Sequence, residues 1–204
     1  MELNYTDIFN IHKNNKKPKA GRILISEPFL AGDIFRRSVV LITSYSKEQG
    51  TMGIILNKFI RDHKLIKKIK NELKITDIDI NVFIGGPVGT EQLFYVHKLN
   101  PEILPQSIQI KDNIYWGGDF DILKEKISTG TVAQNEVKFF VGYSGWAPGQ
   151  LEDEIEDRNA WLVEDIDEQD IMNTDVEQIW TKKTNQLEEK YKLWSIVPEY
   201  PILN

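Results

Sequence analysis

The stretch that decides the fold is Gly142-Tyr143-Ser144-Gly145-Trp146-Ala147-Pro148-Gly149-Gln150-Leu151, which follows the apolar run Phe139-Phe140-Val141. An apolar run of large side chains predicts a buried strand. The glycines then permit the backbone angles of a tight turn, and Pro148 suits the first turn of a helix. We therefore expect the strand to end at Tyr143 and a short acidic helix to follow the turn, at a kind of position that often carries function.

The composition predicts a globular domain with a large core. The chain has 204 residues, 41% of them hydrophobic, and it has no cysteine. The lack of cysteine excludes disulfides and thiol nucleophiles and fits a reducing compartment. The N-terminus lacks a signal-peptide pattern, and no apolar run is long enough to span a bilayer. We expect a cytoplasmic protein with a Lys-rich lead-in over residues 1–20 and a single domain over residues 21–204.

Charge is distributed unevenly along the chain. The net charge is −6, yet the segment from Leu151 to Gln178 holds twelve acidic residues and one arginine, so the remainder is positive. Basic residues concentrate between Lys13 and Arg22 and between Arg61 and Lys74. The overall negative charge and the absence of a DNA-binding motif argue against direct nucleic-acid binding. A basic end remains compatible with an acidic protein partner.

Apolar runs predict strands, and two amphipathic segments, residues 65–73 and 120–127, predict helices. A turn at Gly50–Gly53 is expected to join two strands as a hairpin. Thr174 and Glu177 have the spacing of a capping box, which predicts the start of another helix. Because strands often follow strands directly, the sequence predicts an α+β fold. The predicted strands are 22–26, 38–43, 54–57, 82–84, 93–97, 114–116, 137–143 and 161–163.

A serine hydrolase is one alternative. A nucleophile elbow has the pattern Gly-x-Ser-x-Gly, and Gly142 and Ser144 fit it, but Trp146 stands where the second glycine belongs. His97 closes a predicted strand, and nothing in the sequence brings it to Ser144. We interpret Ser144 and Gly145 as small residues of a tight turn and assign no catalytic residue.

Phosphate and metal sites are two further alternatives. The stretch Gly85-Gly86-Pro87-Val88-Gly89 follows a predicted strand, and the backbone N–H groups of such a turn can bind an anion. It lacks the P-loop and dinucleotide-binding patterns, and Pro87 has no N–H to donate. The acidic run from Glu152 to Asp157 lacks the spacing of a calcium loop, and acidic residues at a helix start stabilise the helix dipole. We expect neither a cofactor nor a metal.

Four blocks of sequence, in order and at family spacing, resemble the YqgE/AlgH family of bacterial proteins. The match runs from Gly21 to Trp161, and the ending Pro198-Glu199-Tyr200-Pro201-Ile202-Leu203-Asn204 resembles that of some members. The blocks are Gly21-Arg22-Ile23-Leu24-Ile25-Ser26-Glu27-Pro28 with Asp33, Phe35 and Arg37-Ser38-Val39-Val40; Gly50-x-x-Gly53-Ile54-Ile55-Leu56-Asn57-Lys58; Gly85-Gly86-Pro87-Val88; and Gly142 to Ile155 with Asn159 and Trp161.

The resemblance implies an AlgH-like α+β fold, with a mixed, largely antiparallel sheet that includes a small barrel and is surrounded by helices. The family's molecular function is largely unassigned, and some members carry the label of transcriptional regulator. A redox role invoked for members with a reactive cysteine does not carry over to this cysteine-free chain. The resemblance favours a non-enzymatic regulatory or binding module that acts through a protein partner.

The same blocks contain residues with structural roles. We expect Gly53 and Gly142 to permit sharp turns or close backbone approach, Trp161 to pack the turn against the sheet, and Arg37 to form a buried pair with Glu154. The second functional hypothesis is a small-ligand protein or enzyme with a pocket between the Gly85-Gly86-Pro87 and Ser144-Gly145-Trp146 turns. The candidate ligand or partner residues are Asn57, Gly85, Gly86, Pro87, Ser144, Gly145, Trp146, Glu154 and Asn159.

Overall fold

A computed structural model of the protein describes residues 16–74, 80–156, 158–173, 175–188 and 191–197. The elements alternate irregularly along the chain. The strands are β1 (Arg22–Ser26), β2 (Val39–Ser46), β3 (Gly50–Ile55), β4 (Val82–Ile84), β5 (Val88–His97), β6 (Ile108–Lys111), β7 (Ile114–Trp116), β8 (Val137–Trp146) and β9 (Trp161–Asp165). The helices are α1 (His63–Leu73), α2 (Phe120–Ser128), α3 (Gln150–Glu156), α4 (Glu168–Met172), α5 (Ile179–Asn185) and α6 (Lys192–Ile196).

The strands form one sheet in the order β6-β7-β5-β8-β3-β2-β1-β9. Neighbours on this path are antiparallel, whereas β4 pairs in parallel with β8, so the predicted α+β class and mixed, largely antiparallel sheet are confirmed. The expected barrel is not: the path is open, because no ladder joins β6 to β9 among the described residues. The sheet nevertheless curls, since Ile110 of β6 and Leu162 of β9 share one core cluster.

Three clusters of buried side chains fill the space on the faces of the sheet. The first packs β1, β2 and β3 against α4, α5 and α6 and includes the fully buried Trp180 and Tyr191. The second lies under α1 and α2, and the predicted stripe residues Leu65 and Ile69 belong to it. The third joins β2, β3 and β9 to α3 through Trp146, Leu151 and Trp161. This third cluster is the one that positions the candidate site.

Two predicted element boundaries were wrong for the same physical reason. Gly50–Gly53 is not a turn but lies within β3, paired with β2 as the second strand of the predicted hairpin. The strand predicted to end at Tyr143 continues to Trp146. Glycine serves close approach at these positions, because a Cβ on Gly53 would lie 2.8 Å from the backbone oxygen of Leu41. A glycine therefore does not by itself end a strand.

The acidic segment also differs from its prediction. The helix expected to open at a Thr174 capping box begins at Ile179 instead, and Thr174 lies outside the described residues. The sequence prediction missed α4, whose N-cap Asp167 accepts a hydrogen bond from the backbone N–H of Asp170 at 2.7 Å. Part of the acidic run thus satisfies backbone donors at a helix start.

The described part of the lead-in contacts the sheet. Lys16 lies 2.5 Å from Glu164 and 3.2 Å from Asp165, and Arg22 donates to Asp165 at 3.0 Å. The first fifteen residues and the family-like ending from Pro198 lie outside the described residues. Among the helices that the structure describes, none has the length and apolar character needed to cross a bilayer.

Candidate functional site

The turn after β4 crosses directly over the middle of β8. A Cβ added to Gly86 would lie 2.1 Å from the carbonyl carbon of Tyr143, and one added to Gly142 would lie 2.5 Å from the Gly86 oxygen. The Gly85 N–H donates to Val141 at 2.8 Å. These glycines let two backbones touch, and the Gly85 amide is committed to the sheet rather than presented to an anion. We call this contact of Gly85 and Gly86 with residues 142–144 the glycine crossing.

Ser144 is part of the crossing and not a nucleophile. Its side chain is fully buried and donates to the Gly85 carbonyl at 3.1 Å. His97 is far from that role, since its Nε2 lies 2.8 Å from the Gly117 oxygen and its ring stacks on Tyr115. Burial lowers the pKa of His97, which keeps the imidazole neutral in its structural setting. The serine-hydrolase alternative therefore lacks its geometry.

Several predicted site residues meet on one side of the crossing, around a cavity of about 360 Å³. That size falls within the range of small-ligand sites. Gly85, Gly86 and Ser144 do not line it, because they are packed solid in the crossing. We call this cavity the Trp pocket; it is lined by Glu27, Leu30, Ala31, Phe35, Pro87, Gly145, Trp146, Gln150, Glu154, Arg158, Ala160 and Trp161.

Glu154 of α3 fixes the floor of the Trp pocket. Its Oε2 accepts hydrogen bonds from the indole Nε1 of Trp146 at 2.9 Å and of Trp161 at 2.8 Å, and its Oε1 accepts from Gln150 at 2.8 Å. The indoles meet edge to face with centroids 5.9 Å apart. Both tryptophans lie in the third core cluster, and the expected pair of Glu154 with Arg37 was wrong, because the two indoles hold Glu154.

The other wall of the Trp pocket comes from the β1–β2 connection. Phe35 packs edge to face on Trp161 at 5.7 Å. Glu27 is half-buried, and burial raises the pKa of its carboxyl, although the Phe29 backbone opposes this by hydrogen bonding. Glu27 and Phe35 belong to the first family-like block of the sequence, which predicted no role for either. The available signal was an acidic residue placed between the end of an apolar strand and Pro28.

Asn57 lies in a different depression. Its amide donates to the Arg37 carbonyl at 2.8 Å and its oxygen accepts from the Val39 N–H at 2.9 Å, so it satisfies backbone groups of the β1–β2 connection. The depression that Asn57 lines has a volume of about 530 Å³. Asn159 is not among its lining residues and adopts a left-handed φ of 50° after α3. We call this depression the basic cleft; it is lined by Arg37, Asn57, Lys58, Phe59, Arg61, Ile84, Val176, Glu177, Gln178, Trp180 and Thr181.

Comparison with known proteins decides the family. A sequence model of the DUF179, AlgH-like family matches residues 23–192. The chain belongs to the AlgH-like family. A UPF0301 protein of Bacteroides fragilis is 41% identical over the full length of both chains. A UPF0301 protein of Chlorobium limicola is 34% identical over 92% of this chain and 97% of its own. The predicted family membership is confirmed, within a group of uncharacterised proteins.

Two solved structures share the fold of this AlgH-like protein. A crystal structure of a Corynebacterium diphtheriae protein matches with a TM-score of 0.73 over 94% of this chain and 98% of that one. The solution structure of AlgH from Pseudomonas aeruginosa matches with a TM-score of 0.65 over 91% and 98%. Both are 22% identical to this chain, so the likeness concerns the fold alone.

Proposed function

We propose that this AlgH-like protein is a small-molecule binding protein and that its Trp pocket holds a ligand with an amine head and an apolar body. One observation carries the proposal. A half-buried carboxylate, Glu27, lines a cavity whose floor is aromatic, and among the described residues no ion pair of Glu27 is recorded. A carboxylate that loses water on burial gains most from a charged hydrogen-bond donor.

The aromatic floor supports the same ligand chemistry. Phe35, Trp146 and Trp161 pack edge to face, and Trp146 and Trp161 are 6% and 3% exposed. Rings held this rigidly present a fixed apolar surface at little entropic cost on binding. Aromatic faces also attract cations. An amine-bearing aromatic molecule therefore matches both the carboxylate and the rings.

The polar groups of the pocket divide into two sets. Glu154 and Gln150 are bound to the indoles and to each other, so they set the shape of the pocket. Glu27 and Arg158 take no part in that network; Glu27 is half-buried, whereas Arg158 lies on the exposed rim. Glu27 is the more enclosed of the two, which is why we assign the amine head to it.

The test is a calorimetric titration with benzylamine, using benzyl alcohol as the uncharged analogue. The wild type should bind benzylamine, and Glu27→Gln should weaken binding tenfold or more, because a charged hydrogen bond contributes about 1.5–3 kcal/mol. Glu177→Gln is the matched control, since it removes one carboxylate from the basic cleft, and it should leave the affinity unchanged. Equal binding of benzyl alcohol, or no loss in Glu27→Gln, would contradict the proposal.

A regulatory role is compatible with this binding function. A ligand-binding module in the cytoplasm that acts on transcription through a protein partner fits the negative net charge better than direct DNA binding does. The partner, the compartment and the regulatory role stay predictions. Tight, sequence-selective binding of duplex DNA by the pure protein in a gel-shift assay at physiological salt would contradict the indirect version.

A further inference from the structure

Arg37, at the entrance of β2, is held in an unusual conformation beside the basic cleft. It is not a glycine, yet its φ is 50°, in the left-handed region that costs side-chain-bearing residues energy. Asn57 bonds its carbonyl at 2.8 Å, and Lys58 donates to the neighbouring Arg36 carbonyl at 2.8 Å. Two residues of one family block thus fix the backbone that carries this guanidinium.

The Arg37 guanidinium is held in position by its neighbours but does not have all its hydrogen bonds among the described residues. It lies 4.8 Å from the centre of the Trp180 ring, and one terminal nitrogen donates to the Val197 carbonyl. Its Nε is buried and has no hydrogen-bond partner among the described residues. No ion pair of Arg37 is recorded within the described part of the chain. The Arg37 side chain also lines the basic cleft, so an anion bound there would supply acceptors to a cation that has few of them among the described residues.

Lys138 shows what a purely structural cation looks like in the same protein. It is 2% exposed, and its Nζ donates to the carbonyls of Leu56, Ile171 and Asn173 at 3.3, 3.3 and 2.8 Å. Its three donors thus have three acceptors. Arg37 differs because its Nε has no acceptor within the described part of the chain and its side chain lines the cleft.

The charge of the basic cleft favours an anion. Among the described residues, its lining carries Arg37, Lys58 and Arg61 and a single carboxylate, Glu177. Glu177 contacts Arg61 at 3.2 Å, with the two side chains 73% and 84% exposed, so this pair is weakened by water. A guanidinium offers a planar fork that suits phosphate oxygens. The described lining therefore holds more basic than acidic side chains, and the Arg37 guanidinium is already positioned beside it.

The apolar part of the lining indicates that the anion has an organic body. Phe59 is 40% exposed at the cleft, and Ile84, Val176 and Trp180 line it as well. Phe59 is held in place by an edge-to-face contact with Phe83 at 5.4 Å. We infer that the basic cleft is a second ligand site, which binds a small organic phosphate with its phosphate on Arg37 and Lys58 and its apolar body against Phe59.

The experiment is a calorimetric titration of the full-length protein with phenyl phosphate. The wild type should bind it with a Kd of about 1 mM or tighter. Phenol and inorganic phosphate should each bind at least about tenfold more weakly, since each lacks one half of the ligand. Equal binding of inorganic phosphate would overturn the assignment of an organic body, and equal binding of phenol would overturn the assignment of the anion.

Matched variants locate the site. Arg37→Lys should weaken phenyl phosphate binding about tenfold or more, because a lysine cannot reproduce the guanidinium donors. Lys58→Met should weaken it by a similar factor, because it removes a positive charge from the phosphate site. Arg158→Gln removes a positive charge from the Trp pocket instead and should leave the affinity unchanged. Melting curves identify any variant that fails to fold, and Lys58→Met then decides alone. Unchanged affinity in a folded Lys58→Met or Arg37→Lys protein, or an equal loss in Arg158→Gln, would overturn the inference.

Discussion

The Trp pocket and the basic cleft lie on the two sides of the glycine crossing and are built in opposite ways. Ile84 lines the cleft and Pro87 lines the pocket, so only the two residues Gly85 and Gly86 separate these linings along the chain. In the pocket, the carboxylate of Glu154 is fully used by two indoles and an amide. In the cleft, Arg37 keeps a buried donor without a partner. The comparison teaches that a polar side chain with all its hydrogen bonds inside the protein, such as Glu154, fixes the shape of a cavity. A polar side chain that lacks a partner, such as Arg37, marks where a ligand binds.

The crossing itself should give the largest effect. Gly86→Ala places a Cβ 2.1 Å from the Tyr143 backbone, so one of the two segments must move. We expect a loss of about 4 kcal/mol or more in the free energy of unfolding, measured by chemical denaturation. Gly32→Ala is the control, because Gly32 also has a positive φ but no atom within 4 Å of the added Cβ, and it should lose only about 1 kcal/mol. Similar losses in both would mean that backbone strain, not contact, matters.

Glu154→Ala should have the next largest effect, because it removes the shared acceptor of two buried indoles. Each orphaned donor costs about 1–3 kcal/mol, so we expect a loss of about 3 kcal/mol in denaturation experiments. The variant should also lose benzylamine binding, since the floor of the pocket is no longer held. Arg158→Gln, on the exposed rim of the same pocket, should change stability by less than about 0.5 kcal/mol. A stable Glu154→Ala protein with intact binding would break the distinction between shape and site.

Lys138 gives a pH-dependent test of what a satisfied buried cation does. Burial lowers the pKa of Lys138 to about 7, whereas an unfolded lysine titrates near pH 10.4. Between those values the unfolded state binds more protons, so stability should rise with pH, by up to about 1.4 kcal/mol per pH unit. Lys138→Met should remove this rise between about pH 7 and pH 9. A wild-type profile that matches the Lys138→Met profile would show that the ammonium is not destabilised by burial.

The smallest effect is expected at the rim of the basic cleft. Glu177→Gln removes an ion pair whose side chains are 73% and 84% exposed, so the free energy of unfolding should change by less than about 0.5 kcal/mol. Phenyl phosphate should bind more tightly to this variant, because it removes the one carboxylate of the lining within the described part of the chain. Weaker phosphate binding in Glu177→Gln would mean that Glu177 positions Arg61 for the ligand.

Local patterns predicted most of the elements, and long-range contacts accounted for the failures. The β-branched run before Thr43 was sufficient to predict β2, and the lysine-flanked apolar stripe was sufficient to predict α1. Burial in the core dictates where apolar residues recur in such elements. Gly53 and Gly142 were misleading, since a glycine that ends a strand and one that admits a neighbouring backbone look alike in sequence. The partner of Glu154 was wrong because two indole N–H groups, and not an arginine, reach it in three dimensions.

The candidate site was only partly accessible from sequence. Pro87, Gly145, Trp146 and Glu154 were named, and the structure brings them together around the Trp pocket. Glu27 was not predicted as a site residue, because its importance rests on half-burial without a charged partner among the described residues, and neither property is visible in sequence. The orphaned Nε of Arg37 was hidden for the same reason.

The central claim is that one protein holds two chemically opposed sites on either side of the glycine crossing. Parallel ¹H–¹⁵N correlation spectra with benzylamine and with phenyl phosphate test it most directly. Benzylamine should shift the indole signals of Trp146 and Trp161, and phenyl phosphate should shift the Arg37 Nε–H and the amides of Asn57 and Phe59, each saturably and without the other set. Saturable shifts of the same set by both probes, or no saturable shifts from either, would contradict the account.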